Sequence, residues 1–180
     1  MKHSRKIIAA ITVIALLGVA TWVARSGSEP GVDAAHPGAP KSAPSFELKD
    51  LSGKVHRLQD FQGHPVIIHF WAGWCPPCLG EISEWIEFAK KLQGKPIQMI
   101  AISLDKNWED AQKILPEKNL PTNVISLLDT EARVADQFGS YQYPETYVLN
   151  SRHEIVVKLV GAQRWSTPEF SDRLLEILMR

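Results

Sequence analysis

Residues 65–81 read PVIIHFWAGWCPPCLGE and contain both cysteines of the chain. Pro65 to Trp71 is an apolar run with a single polar residue, His69, as expected of a buried strand. After it, Leu79, Ile82, Ile86, Ala89 and Leu92 fall at helical spacing, which predicts a helix from Pro76 to about Leu92. Gly94 stops that helix. Cys75 therefore stands at a helix N-terminus, and Cys78 lies one turn further on.

Three uses of such a pair compete. A structural zinc needs four ligands. The two cysteines supply half of a set, and His3, His36, His56, His64, His69 and His153 are scattered without a paired spacing. A purely structural bridge across two intervening residues constrains little of the unfolded chain and stabilises weakly. A redox dithiol fits better. At a helix N-terminus the dipole and free N–H groups stabilise a thiolate, which is the attacking species in disulfide exchange. Cys78 is close enough to resolve a mixed disulfide, and its side chain is expected to be the more buried. Pro76 and Pro77 each remove a backbone N–H near the Cys75 sulfur. A less stabilised thiolate makes a better reductant, so the pattern favours a reducing role.

Outward from this junction, strands and helices alternate. Phe46–Leu48 and Val55–Leu58 flank Asp50-Leu51-Ser52-Gly53 and predict a hairpin. Further strands are predicted at 97–104, 123–128, 146–149 and 155–160, and helices at 108–118 and 130–138. Ser166 and Glu169 have capping-box spacing and open a last helix running to about Met179. The expected fold class is α/β, a sandwich whose mixed central sheet is flanked by helices, with an N-terminal β-hairpin.

The first 24 residues stand apart. Lys2, Arg5 and Lys6 precede an uncharged apolar run from Ile7 to Ala24. It is long enough to span a bilayer, and the preceding charges place the N-terminus in the cytoplasm and the remainder outside. Gly18-Val19-Ala20 offers a small-residue cleavage site, so a signal peptide is the competing reading. Residues 25–44, rich in Pro, Gly, Ala and Ser, read as a flexible linker with a reach of at most ~70 Å. The folded domain is then 45–180. Lys+Arg and Asp+Glu are equal at 20 each, and no basic face is evident, which argues against a nucleic-acid partner. A monomer is expected.

WAGWCPPC after an apolar strand resembles the thioredoxin superfamily. FELKDLSGKVHRLQDFQGHPVIIHFWAGWCPPC is similar to its TlpA-like branch of membrane-anchored bacterial thiol:disulfide oxidoreductases, of the CcmG/DsbE and ResA kind. The similarity runs from residue 45 to about 175 and includes Tyr143-Pro144-Glu145-Thr146. It implies a thioredoxin-like fold and no cofactor beyond a redox-active Cys75–Cys78 disulfide, with Cys75 as nucleophile and Cys78 as resolving thiol. Pro144 would be a cis-proline facing the disulfide, and the backbone of Tyr143 would pair with an extended substrate segment. Glu81, on the helix face of Cys78, would exchange a proton during the reaction. Trp74 would join Pro76 and Pro77 in a partner groove, while Trp71 packs in or beside the core. Implied partners are a protein disulfide, such as apocytochrome c or a copper-site protein, and a membrane electron donor. The implied location is the periplasmic side of a bacterial inner membrane. His69 departs from the thioredoxin pattern, which has a buried Asp there. It reads as a structural histidine or as a proton relay.

Three other functions compete. A thiol oxidase differs only in redox poise. A peroxiredoxin shares the hairpin, but its peroxidatic Cys follows a Thr by three residues, and position 72 is Ala. A non-enzymatic apocytochrome- or haem-binding module needs neither thiol, and Leu79 rather than His follows the cysteine motif.

Overall fold

A computed structural model describes residues 41–179. The segment read as an anchor, 1–24, and most of the linker lie outside the described residues. Among the described residues, no helix is long and apolar enough to cross a membrane.

Eight strands form one sheet: β1 (Lys41–Ser42), β2 (Glu47–Lys49), β3 (Val55–Arg57), β4 (Val66–Trp71), β5 (Gln98–Ser103), β6 (Val124–Leu128), β7 (Glu145–Leu149) and β8 (Glu154–Val160). Their order is β1-β8-β7-β4-β5-β6-β2-β3. β4, β5 and β6 run parallel, and the other pairings are antiparallel. The helices are α1 (Pro76–Lys91), α2 (Trp108–Ile114), α3 (Arg133–Phe138) and α4 (Pro168–Leu178). The fold is the thioredoxin-like mixed α/β sandwich expected from the sequence, hairpin included.

The central strands explain themselves. All six residues of β4 and all five of β7 are buried; β4 is apolar but for His69, while β7 carries Glu145 and Thr146 inside. β4 joins β5 through α1, a parallel crossover that needs a helix-length connection. Pro76 and Pro77 open α1, at positions where a missing N–H costs no helical hydrogen bond. Trp71, Trp85 and Trp165 are all fully buried in one core.

Four boundaries differ from the sequence reading. The helix expected over 108–118 stops at Ile114. Pro116 keeps Leu115 out of helical geometry (φ −125°, ψ 75°), and a separate 3₁₀ turn follows at Glu117–Asn119. The helix expected from 130 begins at Arg133. Asp129 caps it from outside, accepting from the N–H groups of Arg133, Val134 and Ala135. Ser166 and Glu169 form no capping box. Thr167 is the N-cap, and Ser166 turns instead to Glu84, donating from N and Oγ at 3.1 and 2.8 Å. Finally, Lys41–Ser42, from the stretch read as linker, pairs with Ile155 and Glu154 as a short edge strand.

Candidate active site

β4 delivers the chain to the end of the sheet, and a short turn carries it into α1. That turn is held from below. The Gly73 N–H lies 3.1 and 3.0 Å from the two oxygens of Asp105, which is buried just past the end of β5. Ser103 Oγ donates to the same carboxylate at 2.7 Å. A Cβ at position 73 would come within 3.3 Å of Asp105, so the close approach asks for glycine.

Cys75 is the N-cap of α1 and is joined to Cys78 by a disulfide. Both sulfurs are sheltered: Cys75 is 4% exposed and Cys78 fully buried. Of positions 76, 77 and 78, Cys78 alone has an N–H, and it donates to Cys75 Sγ at 3.3 Å. Facing this sulfur at 3.4 Å is the carbonyl oxygen of Tyr143, the residue before the cis Tyr143–Pro144 bond. Gly161 N donates to the Pro144 carbonyl at 2.9 Å and so fixes the far side of that turn. Trp74, 61% exposed, sets its ring edge-on to Tyr143 with centroids 6.1 Å apart. The site therefore has an apolar, accessible rim at Cys75 and a closed interior behind Cys78.

The interior holds two titratable groups. Glu81 lies one turn beyond Cys78 on α1 and is only 3% exposed. Its Oε2 accepts from Gln163 N at 2.6 Å and from Trp165 Nε1 at 2.8 Å. Burial raises its carboxyl from 4.5 to about 7, although those two donors pull the other way. His69, on β4, is fully buried. Its ring stacks on Trp85 at 5.1 Å, and its Nδ1 is 2.9 Å from Thr146 Oγ1 on β7. Burial lowers its imidazole to about 3, so it is neutral at physiological pH. Its Nε2 is 3.6 Å from Glu81 Oε1. With a neutral imidazole that contact is no ion pair.

Of the residues singled out in the sequence, Cys75, Cys78, Trp74, Pro76, Pro77, Tyr143 and Pro144 converge at the sulfurs, and Glu81 lies behind them. Trp71 is buried in the core. Sequence reading missed Asp105, Gln163 and Trp165, and it quoted Thr146 within the cis-proline motif without its contact to His69. Asp105 carried one available signal, an acidic residue at the carboxyl end of a buried strand, where α/β sheets place ligands and chemistry. Gln163 and Trp165 reach Glu81 across more than eighty residues and carry no local signal.

The profile of the AhpC/TSA family matches residues 40–158. Among curated relatives, the thiol-disulfide oxidoreductase ResA of Bacillus cereus is 25% identical over 163 residues, 91% of this chain and 92% of its own length. ResA of Bacillus subtilis is 27% identical over 119 residues, 66% of this chain and 65% of its own. Among solved structures, one from Chlorobium tepidum, described as thiol:disulfide interchange protein DsbE, superposes with a TM-score of 0.68 at 24% identity, covering 82% of this chain and 99% of its own. StoA from Bacillus subtilis gives 0.60 at 20% identity, covering 77% and 98%. These two likenesses bear on the fold, and the profile covers the hairpin, both cysteines and the cis-proline. The chain belongs to the AhpC/TSA family, on its thioredoxin-like side.

Proposed function

We propose that this thiol-disulfide oxidoreductase works as a reductase of protein disulfides through Cys75 and Cys78. The observation that carries the direction is the N-terminus of α1, where two prolines leave one N–H for the Cys75 sulfur. A thiolate with few donors is less stabilised, and a less stabilised reduced form gives its electrons up more readily. The names of the ResA relatives support the reaction class.

The proposed cycle uses these groups in turn. The Cys75 thiolate attacks one sulfur of a client disulfide, forms a mixed disulfide and releases the other client sulfur as a thiolate. Cys78 gives its proton to Glu81 and attacks Cys75 Sγ. The second client sulfur leaves as a thiolate, and the Cys75–Cys78 bridge closes. Two electrons pass to the client, and a donor dithiol must return them. The Tyr143 carbonyl and the flat face of Trp74 offer an extended client segment a backbone partner and an apolar wall.

Residues 7–24 would hold the domain at the outer face of a bacterial inner membrane, where an integral membrane donor supplies reducing equivalents. Clients with paired cysteines awaiting haem or copper, such as apocytochrome c or a copper-site protein, suit that place. The deciding experiment is the reduction potential of the full chain, equilibrated against glutathione and then dithiothreitol buffers. A value near −270 mV, about that of thioredoxin, supports a reductase. A value near −120 mV, about that of strong oxidants, sinks the reducing direction and the proline argument together.

A further inference from the structure

Two buried polar atoms without a hydrogen-bond partner face each other behind the cysteines: His69 Nε2 and Glu81 Oε1. We propose that His69 is a positioning residue for the redox reaction, a neutral imidazole that changes tautomer each time Glu81 gains or loses its proton. The inference rests on the reading of Glu81 as the group that exchanges a proton with Cys78.

The two oxygens of Glu81 are not equivalent. Oε2 receives two N–H donors, from Gln163 and Trp165, and neither of these can accept a proton. The acid proton therefore belongs on Oε1, the oxygen that looks at His69. A protonated Oε1 needs an acceptor. His69 supplies the Nε2 lone pair when its own proton is on Nδ1, and Nδ1–H then donates to Thr146 Oγ1. An ionised Oε1 needs a donor instead. His69 supplies Nε2–H when its proton has moved, and Nδ1 then accepts from the Thr146 hydroxyl. A hydroxyl serves both arrangements because it donates and accepts. The imidazole holds one proton in each state, so no second charge enters the dry interior.

The surroundings favour this over protonation of the ring. Trp85 covers one face of His69, and Trp165 meets it edge-on at 6.2 Å. Neither offers the imidazolium a counter-charge. From β7, Thr146 is neutral. On α1, the charge felt at Glu81 is Glu84, which raises it slightly, and Arg164 acts on Glu84 rather than on Glu81. The 3.6 Å separation is longer than a hydrogen bond. A small turn of the carboxyl closes it in whichever protonation state the cycle has reached.

The test is ¹⁵N NMR of histidine-labelled full chain in its oxidised form, titrated from about pH 5 to 9 around the reference histidine value. The His69 ring nitrogens should exchange protonated and unprotonated shifts at one midpoint, shared with the Glu81 carboxyl carbon. A single tautomer throughout, or an imidazolium signal, overturns the switch. In Glu81→Gln the exchange should vanish, and its persistence also overturns the switch. A second readout is the pH profile of thiol-disulfide exchange. His69→Phe removes the N–H that favours the ionised carboxylate, so the midpoint should rise by about one pH unit, a tenfold gain in proton affinity. His69→Gln, which keeps a donor and an acceptor, should bring it back. An unmoved midpoint in His69→Phe counts against the proposal. If Glu81→Gln keeps the wild-type rate profile but loses the tautomer exchange that the wild-type chain shows, the proton-relay reading of Glu81 fails and the switch stands.

Discussion

Two histidine–carboxylate pairs occupy different regions of this domain, and they behave in opposite ways. His56 and Asp50 meet at 2.8 Å in the β2–β3 hairpin, at the edge of the sheet. There, burial pushes the Asp50 carboxyl up, but hydrogen bonds from Ser52, His56 and Lys54 outweigh it and bring it down to about 2. His69 and Glu81 stand 3.6 Å apart behind the cysteines, and there burial wins: Glu81 rises to about 7. Asp50 has a full set of donors and fixes a turn. Glu81 has donors on one oxygen only, and the other has no partner. A histidine beside a carboxylate makes a hydrogen-bonded staple in one place and a carboxyl held near neutral pKa in the other, and the number of donors decides which.

The largest effect should come from removing the inner carboxylate. Glu81→Gln should slow thiol-disulfide exchange about a hundredfold at neutral pH, the usual worth of a positioned acid–base group, measured by turnover of a disulfide-bonded client. A loss below about threefold would put Glu81 in the same structural category as Asp50.

A stability titration sharpens the contrast. Glu81 goes from about 7 in the folded state to an ordinary 4.5, so the folded state holds an extra proton between those values and stability falls as pH rises through them. His69 goes from about 3 to an ordinary 6.5, so the unfolded state holds the extra proton and stability rises with pH across that span. Between 4.5 and 6.5 the two slopes oppose each other. Glu81→Gln uncovers the histidine slope, about 1.4 kcal/mol per pH unit. Stability relative to wild type should then rise by about 2 kcal/mol from pH 4.5 to 6.5 in denaturant melts. A flat difference would mean that the interior admits more water than its burial suggests.

The hairpin pair should give a smaller effect in a different window. Asp50 is held below its ordinary value, so its contribution is present above about pH 4 and is lost as pH falls through about 2. Asp50→Asn should cost about 1 kcal/mol at neutral pH after solvent screening, cost little near pH 2, and leave exchange rates unchanged. A change in rate would show that the two regions communicate. The smallest effect belongs to Glu84, one turn from Glu81, where hydrogen bonds from the Ser166 hydroxyl and N–H lower the carboxyl. Glu84→Gln should cost a few tenths of a kcal/mol in the same melts, as expected for a largely solvated group. A cost as large as that of Asp50→Asn would place Glu84 among the buried groups.

The parts of this site that sequence reading reaches are those set by neighbours along the chain. An apolar strand and two cysteines at a helix start are local patterns, and β4 and α1 follow them, while the cis Tyr143–Pro144 bond is expected from the family resemblance. The failures are also instructive. Ser166 has capping-box spacing, but Glu84 of α1 claims its hydroxyl. Residues 115–118 continue the helix only if Pro116 is passed over, and that proline ends it. The dryness of Glu81 depends on Trp165 and Gln163, which only the closed fold brings near. His69 is visible as an odd residue in an apolar strand. That its Nε2 faces a carboxyl oxygen with no other partner is visible only in three dimensions.

Residues 163–166 bear on Glu81 and Glu84 of α1 and give the chain a temporal order. β4 and α1, with both cysteines, are complete at Lys91. The groups that hold Glu81 come from positions 163 and 165, close to the last helix. A chain made N-terminus first therefore completes β4 and α1 before the donors to Glu81 emerge. Until residues 163–165 fold back, Glu81 lacks both of its N–H donors. The surroundings of Glu81 are thus completed by residues more than eighty positions after the cysteine motif they stand behind.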